Sequence, residues 1–178
     1  MMTILERYQK VALPELKKEF GFSSALAAPR LRKVVVNIGT GRIRDPKQLE
    51  TIEKSFMAIT GQKPVERKAK KAIASFKTRA GMGIGYSAML RGRRMYDFLD
   101  RLVGVALPRT RDFRGIPQSS FDEKGNLTIG VKEHIVFPEM IGEDVRFIFG
   151  LEATIVTTAK SRAEGIALLR HMGFPIQK

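Results

Sequence analysis

The chain has no cysteine, no tryptophan, two histidines, and only eighteen acidic residues against thirty-two Lys and Arg in a length of 178. Each scarcity excludes something. Without thiols there is no disulfide, no thiolate nucleophile and no cysteine-ligated metal, and the composition suits a reducing cytosol. No apolar run reaches the roughly 18 residues of a membrane-spanning helix, so no membrane partner is expected. Met1 to Tyr8 lack the basic flank and apolar stretch of a secretory signal. His134 and His171 suit structural roles, the first in a strand segment and the second at a helix end, where a cation matches the local dipole. Asp97 and Asp100 stand one turn apart among Arg93, Arg94 and Arg101, a setting for surface ion pairs and not for acid–base work.

Nothing assembles a nucleophile, a base and an orienting group. Gly39-Thr40-Gly41 between a strand and a helix imitates a dinucleotide fingerprint, but Arg44 occupies the place of the third glycine. No acidic residue follows at the end of a second strand, and no phosphate-loop Gly-Lys-Ser/Thr signature occurs. The expectation is a protein that is not an enzyme and holds neither cofactor nor metal.

What is abundant is positive charge. The net charge is +14 and the pI about 10.4, with an ordinary 43% of apolar residues, enough for a real core. The cations are concentrated. From Lys63 to Arg114, fourteen Lys and Arg face only Glu66, Asp97, Asp100 and Asp112, so +10 of the +14 falls in 52 residues. Arginine offers a planar fork that fits phosphate oxygens in pairs and stacks on bases. Concentrated self-repulsion of this kind predicts a polyanionic partner, a nucleic acid.

The length fits one domain over residues 1–178. Thr3 and Glu6 have capping-box spacing, followed by Leu5, Tyr8, Ala12, Leu16 and Phe20 at helical intervals, with a kink or split at Pro14. Arg30–Ile38 reads as a strand with Val34, Val36 and Ile38 inward and Lys33, Val35 and Asn37 outward. Asp45 and Pro46 open a helix whose stripe is Leu49, Ile52, Phe56 and Ile59, closed by Gly61. Pro64–Lys68 is a short strand, then a basic, glycine-dotted loop runs through Gly85, and Tyr86–Arg91 is a strand. Residues from about Arg93 to Ala106 form a helix with Met95, Phe98, Leu99, Leu102 and Ala106 on one side. Arg109–Ser120 reads as an irregular basic loop; Asn126–Val131, Glu133–Phe137 and Leu151–Thr158 read as strands. Ser161 and Glu164 start a last helix that ends at Gly173 and Pro175. The order predicts an α+β fold: a mostly antiparallel sheet, helices packed on one face, an open face carrying Lys33 and Asn37, and long basic loops. The aromatic octapeptide of the common RNA-recognition sheet is absent from these strands, so contacts on the open face would be polar.

Several segments resemble the bacterial 5S-rRNA-binding ribosomal protein five family over essentially the whole chain. They are Val34-Val35-Val36-Asn37-Ile38-Gly39, Ile59 to Pro64, Lys68-Ala69-Lys70-Lys71, Leu90-Arg91-Gly92 and Leu107 to Gly115. Gly125-Asn126, Phe137-Pro138-Glu139, Thr157 to Lys160 and Gly173-Phe174-Pro175 match as well. The resemblance implies a cytoplasmic ribosomal protein of the large subunit that binds 5S rRNA through its open sheet face. Asn37 and Gln62 stand at positions of family contacts, and Lys33, Lys63 and Arg91 join them as the cations of that surface.

It further implies that the loop around Ala74–Gly83 reaches the elbow of P-site tRNA, which makes Lys70, Lys71, Ser75, Phe76, Lys77, Arg79, Gly81 and Met82 the candidate contacts. Arg109, Arg111 and Arg114 form a further basic surface, for which 23S rRNA is a partner, and a small-subunit head protein is the partner across an intersubunit bridge. Two positions depart from the family pattern: Met89 where threonine is common, and Arg93 where an acid is usual. A free RNA-binding or RNA-chaperone module outside the ribosome shares the same electrostatics.

Overall fold

The centre of the molecule follows from one alternation. In the computed structural model, which describes residues 2–142 and 147–177, β1 (Leu31–Gly39) buries Val34, Val36 and Ile38 to 1% exposure or less and leaves Asn37 exposed. The period of two makes that split unavoidable once one face meets the core. β1 pairs antiparallel with β3 (Gly83–Leu90) on one side and β5 (Leu151–Thr157) on the other. β2 (Val65–Lys68) adds to β3 and β4 (Leu127–Val131) to β5, giving a five-stranded antiparallel sheet in the order β2-β3-β1-β5-β4. The α+β expectation holds.

Helices cover the apolar face. The first, α1, runs through Ile4–Arg7, a π-helical turn Tyr8–Ala12, and Leu13–Phe20. Its capping box forms in both directions between Thr3 and Glu6. Pro14 does not split it. Leu13 N–H reaches back five residues to the Tyr8 carbonyl, and the widened turn makes room for the proline ring against the Lys10 carbonyl. The same device recurs in α3, which joins Gly92–Arg101, a π turn Leu102–Ala106 and Leu107–Arg109 ahead of and around Pro108. Here Leu107 N–H bonds the Leu102 carbonyl. α2 (Pro46–Thr60) is capped by Asp45, whose carboxylate accepts from Lys47 N–H, and ends at left-handed Gly61. α4 (Arg162–His171) packs beside α1, with His171 within 3.2 Å of the Glu19 carboxylate. The core joins Phe56 of α2, Phe98 of α3 and Phe137, the last two rings stacked at 6.0 Å.

Several expectations need correction. Glu133–Phe137 is not a strand: His134–Val136 is a 3₁₀ turn, because Pro138 follows at once and His134 folds inward. Arg109 is the last helical residue of α3, the π turn having carried the helix past Ala106. β3 begins at Gly83, ahead of Tyr86, so Gly83 and Gly85 belong to the sheet and not to the loop. A Cβ on Gly85 would stand 2.5 Å from the Ile38 carbonyl oxygen, so this glycine serves strand packing. Leu49 is only half-buried, and Ile4 takes the inward place expected of Leu5. Asp100 forms no surface ion pair among the described residues; its Oδ1 accepts from Ile4 N–H at 2.7 Å and so satisfies a free amide at the start of α1.

His134 is 5% exposed, stacks on Phe149 with centroids 3.8 Å apart, and accepts from Phe149 N–H through Nδ1. Burial holds its pKa below the ordinary 6.5. The folded chain therefore favours neutral imidazole. Its stabilising contribution is complete above about 6.5 and is lost as pH falls below that value and through the lower folded one. Melting temperatures between about pH 7.5 and 5 are expected to fall more steeply for the native chain than for His134→Phe; parallel curves would assign the acid sensitivity elsewhere.

Candidate nucleic-acid interface

The face of the sheet away from the helices is built by the strand registers. Val65, Ser87, Asn37, Glu152 and Gly130 make one row across all five strands. The next row holds Met89, Val35, Thr154 and Thr128, with the two threonine hydroxyls 3.2 Å apart. Lys33 pairs with Val156 in the row beyond. A bulge between Leu31 and Lys33 opposes two residues of β1 to one of β5, so Leu31 turns into the core while Arg32 and Lys33 both lie outside it.

Arg91 follows Leu90, the partner of Val34, in extended conformation (φ −141°, ψ 164°), which sets it beside Lys33. Lys63 precedes β2 two residues before Val65 and is exposed. The structure thus gathers Asn37, Lys33, Arg91 and Lys63 around one face, where Glu152 is the single carboxylate among the strand positions. Gln62 stands half-buried at the turn from α2 into β2, its backbone bracketed by the Thr60 hydroxyl. Met89, in the place of the family's threonine, presents a thioether to this face.

Next to Asn37 the sheet sinks into a hollow of about 360 Å³ lined by Gly39, Gly130, Gly150, Lys132 and Glu152. A Cβ on Gly39 or Gly130 would meet nothing within 4 Å. The fold itself does not need glycine at these two positions. A partner approaching this part of the sheet would meet bare backbone at these two positions. No local sequence signal points to Gly130; only the strand registers set it on one surface with Gly39.

The basic loop joins β2 to β3. Ala69 N–H to the Met82 carbonyl (2.8 Å) and Gly81 N–H to the Ala69 carbonyl (2.9 Å) close its base, and left-handed Gly81 (φ 84°) lets the chain turn there. Beyond the base, Ile73 bridges Thr78 across a 3₁₀ turn, Ala74–Phe76. Lys70, Lys71, Ser75, Phe76, Lys77, Arg79 and Gly81 are all exposed, Phe76 to 67%, and Met82 is half-buried. No ion pair between described residues engages these cations. The loop is held out in solvent with an aromatic ring at its end.

Arg109, Arg111 and Arg114 are also exposed but form a separate patch, anchored by the C-terminal segment. Ile116 N–H donates to the Pro175 carbonyl (2.7 Å), and the Gln177 amide donates to the carbonyls of Arg114 and Gly115. No local sequence signal announces this tie. Arg101, counted among the concentrated cations, works inward: it pairs with Glu139 and donates to the carbonyls of Ile59 (3.0 Å) and Asp97 (3.2 Å). Arg93 lies 3.9 Å from Asp97 along α3, an exposed pair that contributes little.

Two family models cover most of the chain. Residues 24–79 match the model described as ribosomal protein L5, and residues 83–176 match the C-terminal model of the ribosomal L5P family. The chain is 52% identical over 174 residues to the large ribosomal subunit protein uL5 of Anaeromyxobacter dehalogenans, covering 97% of each chain. It is 50% identical over 173 residues to the proteins of the same name from Mesoplasma florum and Chloroflexus aurantiacus, covering 97% of this chain and 96% of each relative. An open polar sheet face, a projecting basic loop and full-length likeness at half identity lead to one conclusion: the chain belongs to the ribosomal protein L5 family, structural and non-enzymatic constituents of the large subunit of the cytoplasmic ribosome.

Proposed function

We propose that the chain binds 5S rRNA through the open sheet face and thereby helps attach it to the large subunit. The observation that carries this reading is the uncovered five-stranded face, cationic at its margin, with Asn37 beside a glycine floor that the fold does not require. Lys33, Lys63 and Arg91 would neutralise backbone phosphates, while Asn37 and Gln62 supply directed hydrogen bonds that set register. The face lacks the aromatic pair used for base stacking, which favours recognition by shape and polar contact. The loop between β2 and β3 would reach P-site tRNA, with Phe76 against a base or ribose and Lys70, Lys71, Lys77 and Arg79 on phosphates. The Arg109–Arg114 patch suits 23S rRNA, and a bridge to a small-subunit head protein accords with the family resemblance.

Two substitutions test the sheet face. Asn37→Ala removes one directed contact and is expected to weaken 5S rRNA binding about 2- to 12-fold, the worth of a single hydrogen bond. Gly130→Leu is expected to leave the melting temperature within about 3 °C, because the new side chain enters open space, while reducing 5S affinity further than Asn37→Ala does. Footprinting of 5S rRNA with both variants reads the result. Unchanged footprints in the two would place the binding surface elsewhere. Retention on large subunits through a high-salt wash separates this reading from a free RNA chaperone, which would wash off.

A further inference from the structure

The projecting loop is bonded within itself but has few side-chain ties to the body of the protein. Against it lies an open cleft of about 870 Å³ whose lining includes Gly41, Ala69, Ile73, Phe76 and Ile84. That volume would readily take the Phe76 ring, and burying such a ring stabilises a chain by about 1.5–3 kcal/mol. Yet Phe76 stands 67% exposed.

The body reaches the loop through one side chain. Arg44, in the connection between β1 and α2, donates from Nη2 to the Lys77 carbonyl at 3.0 Å, while its Nη1 lies against Met82 Sδ, a weak acceptor. Among the described residues these are the side-chain hydrogen bonds between the loop and the rest of the fold. Lys77 itself is left-handed (φ 51°) without being glycine, a conformation that persists only where its surroundings over-determine it. The carbonyl that Arg44 captures belongs to this strained residue, the one directly after Phe76.

We propose that Arg44 is a positioning residue: its guanidinium fork straps the β2–β3 loop at Lys77 and Met82, fixes the left-handed turn, and so keeps the exposed Phe76 ring from turning into the cleft and leaves it presented to a partner. The strap itself is a property of the free protein. Its consequence for tRNA rests on the reading given under the proposed function. Geometry, not charge, is the essential point, because one planar group must serve two acceptors at once.

Hydrogen exchange on the full, RNA-free chain tests the strap directly. The reporters are the amides of Ile73, Lys77 and Thr78, which bond within the loop. Arg44→Ala and the charge-preserving Arg44→Lys are both expected to speed their exchange about fivefold, as loss of one or two hydrogen bonds implies, with β1 and α2 amides unchanged. Equal exchange in wild type and Arg44→Ala overturns the strap. Full protection in Arg44→Lys would also overturn it, since any cation would then suffice. In parallel, tRNA affinity is expected to fall in both variants, with the salt slope retained in Arg44→Lys. If wild type fails to bind tRNA while the exchange difference stands, the tRNA reading falls and the strap remains.

Discussion

Replacing Lys70 and Lys71 together by glutamate is expected to lower tRNA affinity at least about tenfold near 0.1 M salt and to reduce the salt slope of binding by about 1.4–1.8. Each cation that neutralises a phosphate releases condensed counterions and contributes roughly 0.7–0.9 to the slope of log K against log salt. Losing two such contacts therefore changes the slope itself and not only its intercept, and the new carboxylates add repulsion. Both lysines are exposed, neither pairs with an acid among the described residues, and neither supports the core. The melting temperature should stay within about 3 °C. Filter binding across a salt series is the measurement. A double variant with the parent slope would show that these two lysines are solvated charge without a phosphate opposite them.

The second large effect is on stability and carries a sign that local propensity gets wrong. Alanine in place of glycine inside a helix ordinarily stabilises by up to about 1 kcal/mol. Gly165 in α4 is expected to behave oppositely. A Cβ there would stand 2.3 Å from the Gly125 oxygen, 2.4 Å from its Cα and 2.7 Å from its carbonyl carbon, all backbone. Gly125 cannot retreat freely. It is left-handed (φ 75°), its carbonyl accepts from the Thr157 hydroxyl at 3.1 Å, and the next residue, Asn126, accepts from Thr157 N–H at 3.0 Å. Displacing it would pull on β4 and β5 together.

Gly165→Ala is expected to cost about 2–3 kcal/mol, the usual scale of overpacking, or about 4–12 °C in melting temperature for a chain of this size. Gly104→Ala in the π turn of α3, where a Cβ meets nothing within 4 Å, serves as the control and is expected to be neutral or stabilising. Similar melting temperatures for the two variants would mean that the Gly125–Gly165 crossing is not tight.

Much of this architecture is legible in the residues because it is local. The Asp45-Pro46 start and Gly61 stop of α2, the Thr3/Glu6 box of α1 and the inward Val34, Val36 and Ile38 of β1 depend on neighbours within four positions. The Ser161 cap of α4 also forms, although Glu164 reaches back to Lys160 N–H instead of completing the box. The elements misread are those in which a distant partner overrides the local pattern. His134 alternates with its neighbours like a strand residue, but its ring is drawn under Phe149, fifteen positions on. Asp100 looks like a surface carboxylate until the start of α1, ninety-six positions away, lies against it.

The candidate interface divides along the same line. Its ingredients, a cluster of cations between Lys63 and Arg114 with Asn37 on an outward strand position, follow from composition and periodicity alone. Family membership is legible by a different route, the resemblance of specific segments that run nearly the length of the chain. Which ingredients meet is a matter of pairing between strands far apart in sequence. Register sets Gly130 in one row with Asn37 across Glu152, and Lys33 beside Arg91, while the packing of helices and loops turns Arg101 inward, leaves Arg109, Arg111 and Arg114 as a patch tied down by Gln177, and brings Arg44 within reach of Lys77. Periodicity states which way a side chain faces along its own element; only the packing of one element on another states what it faces.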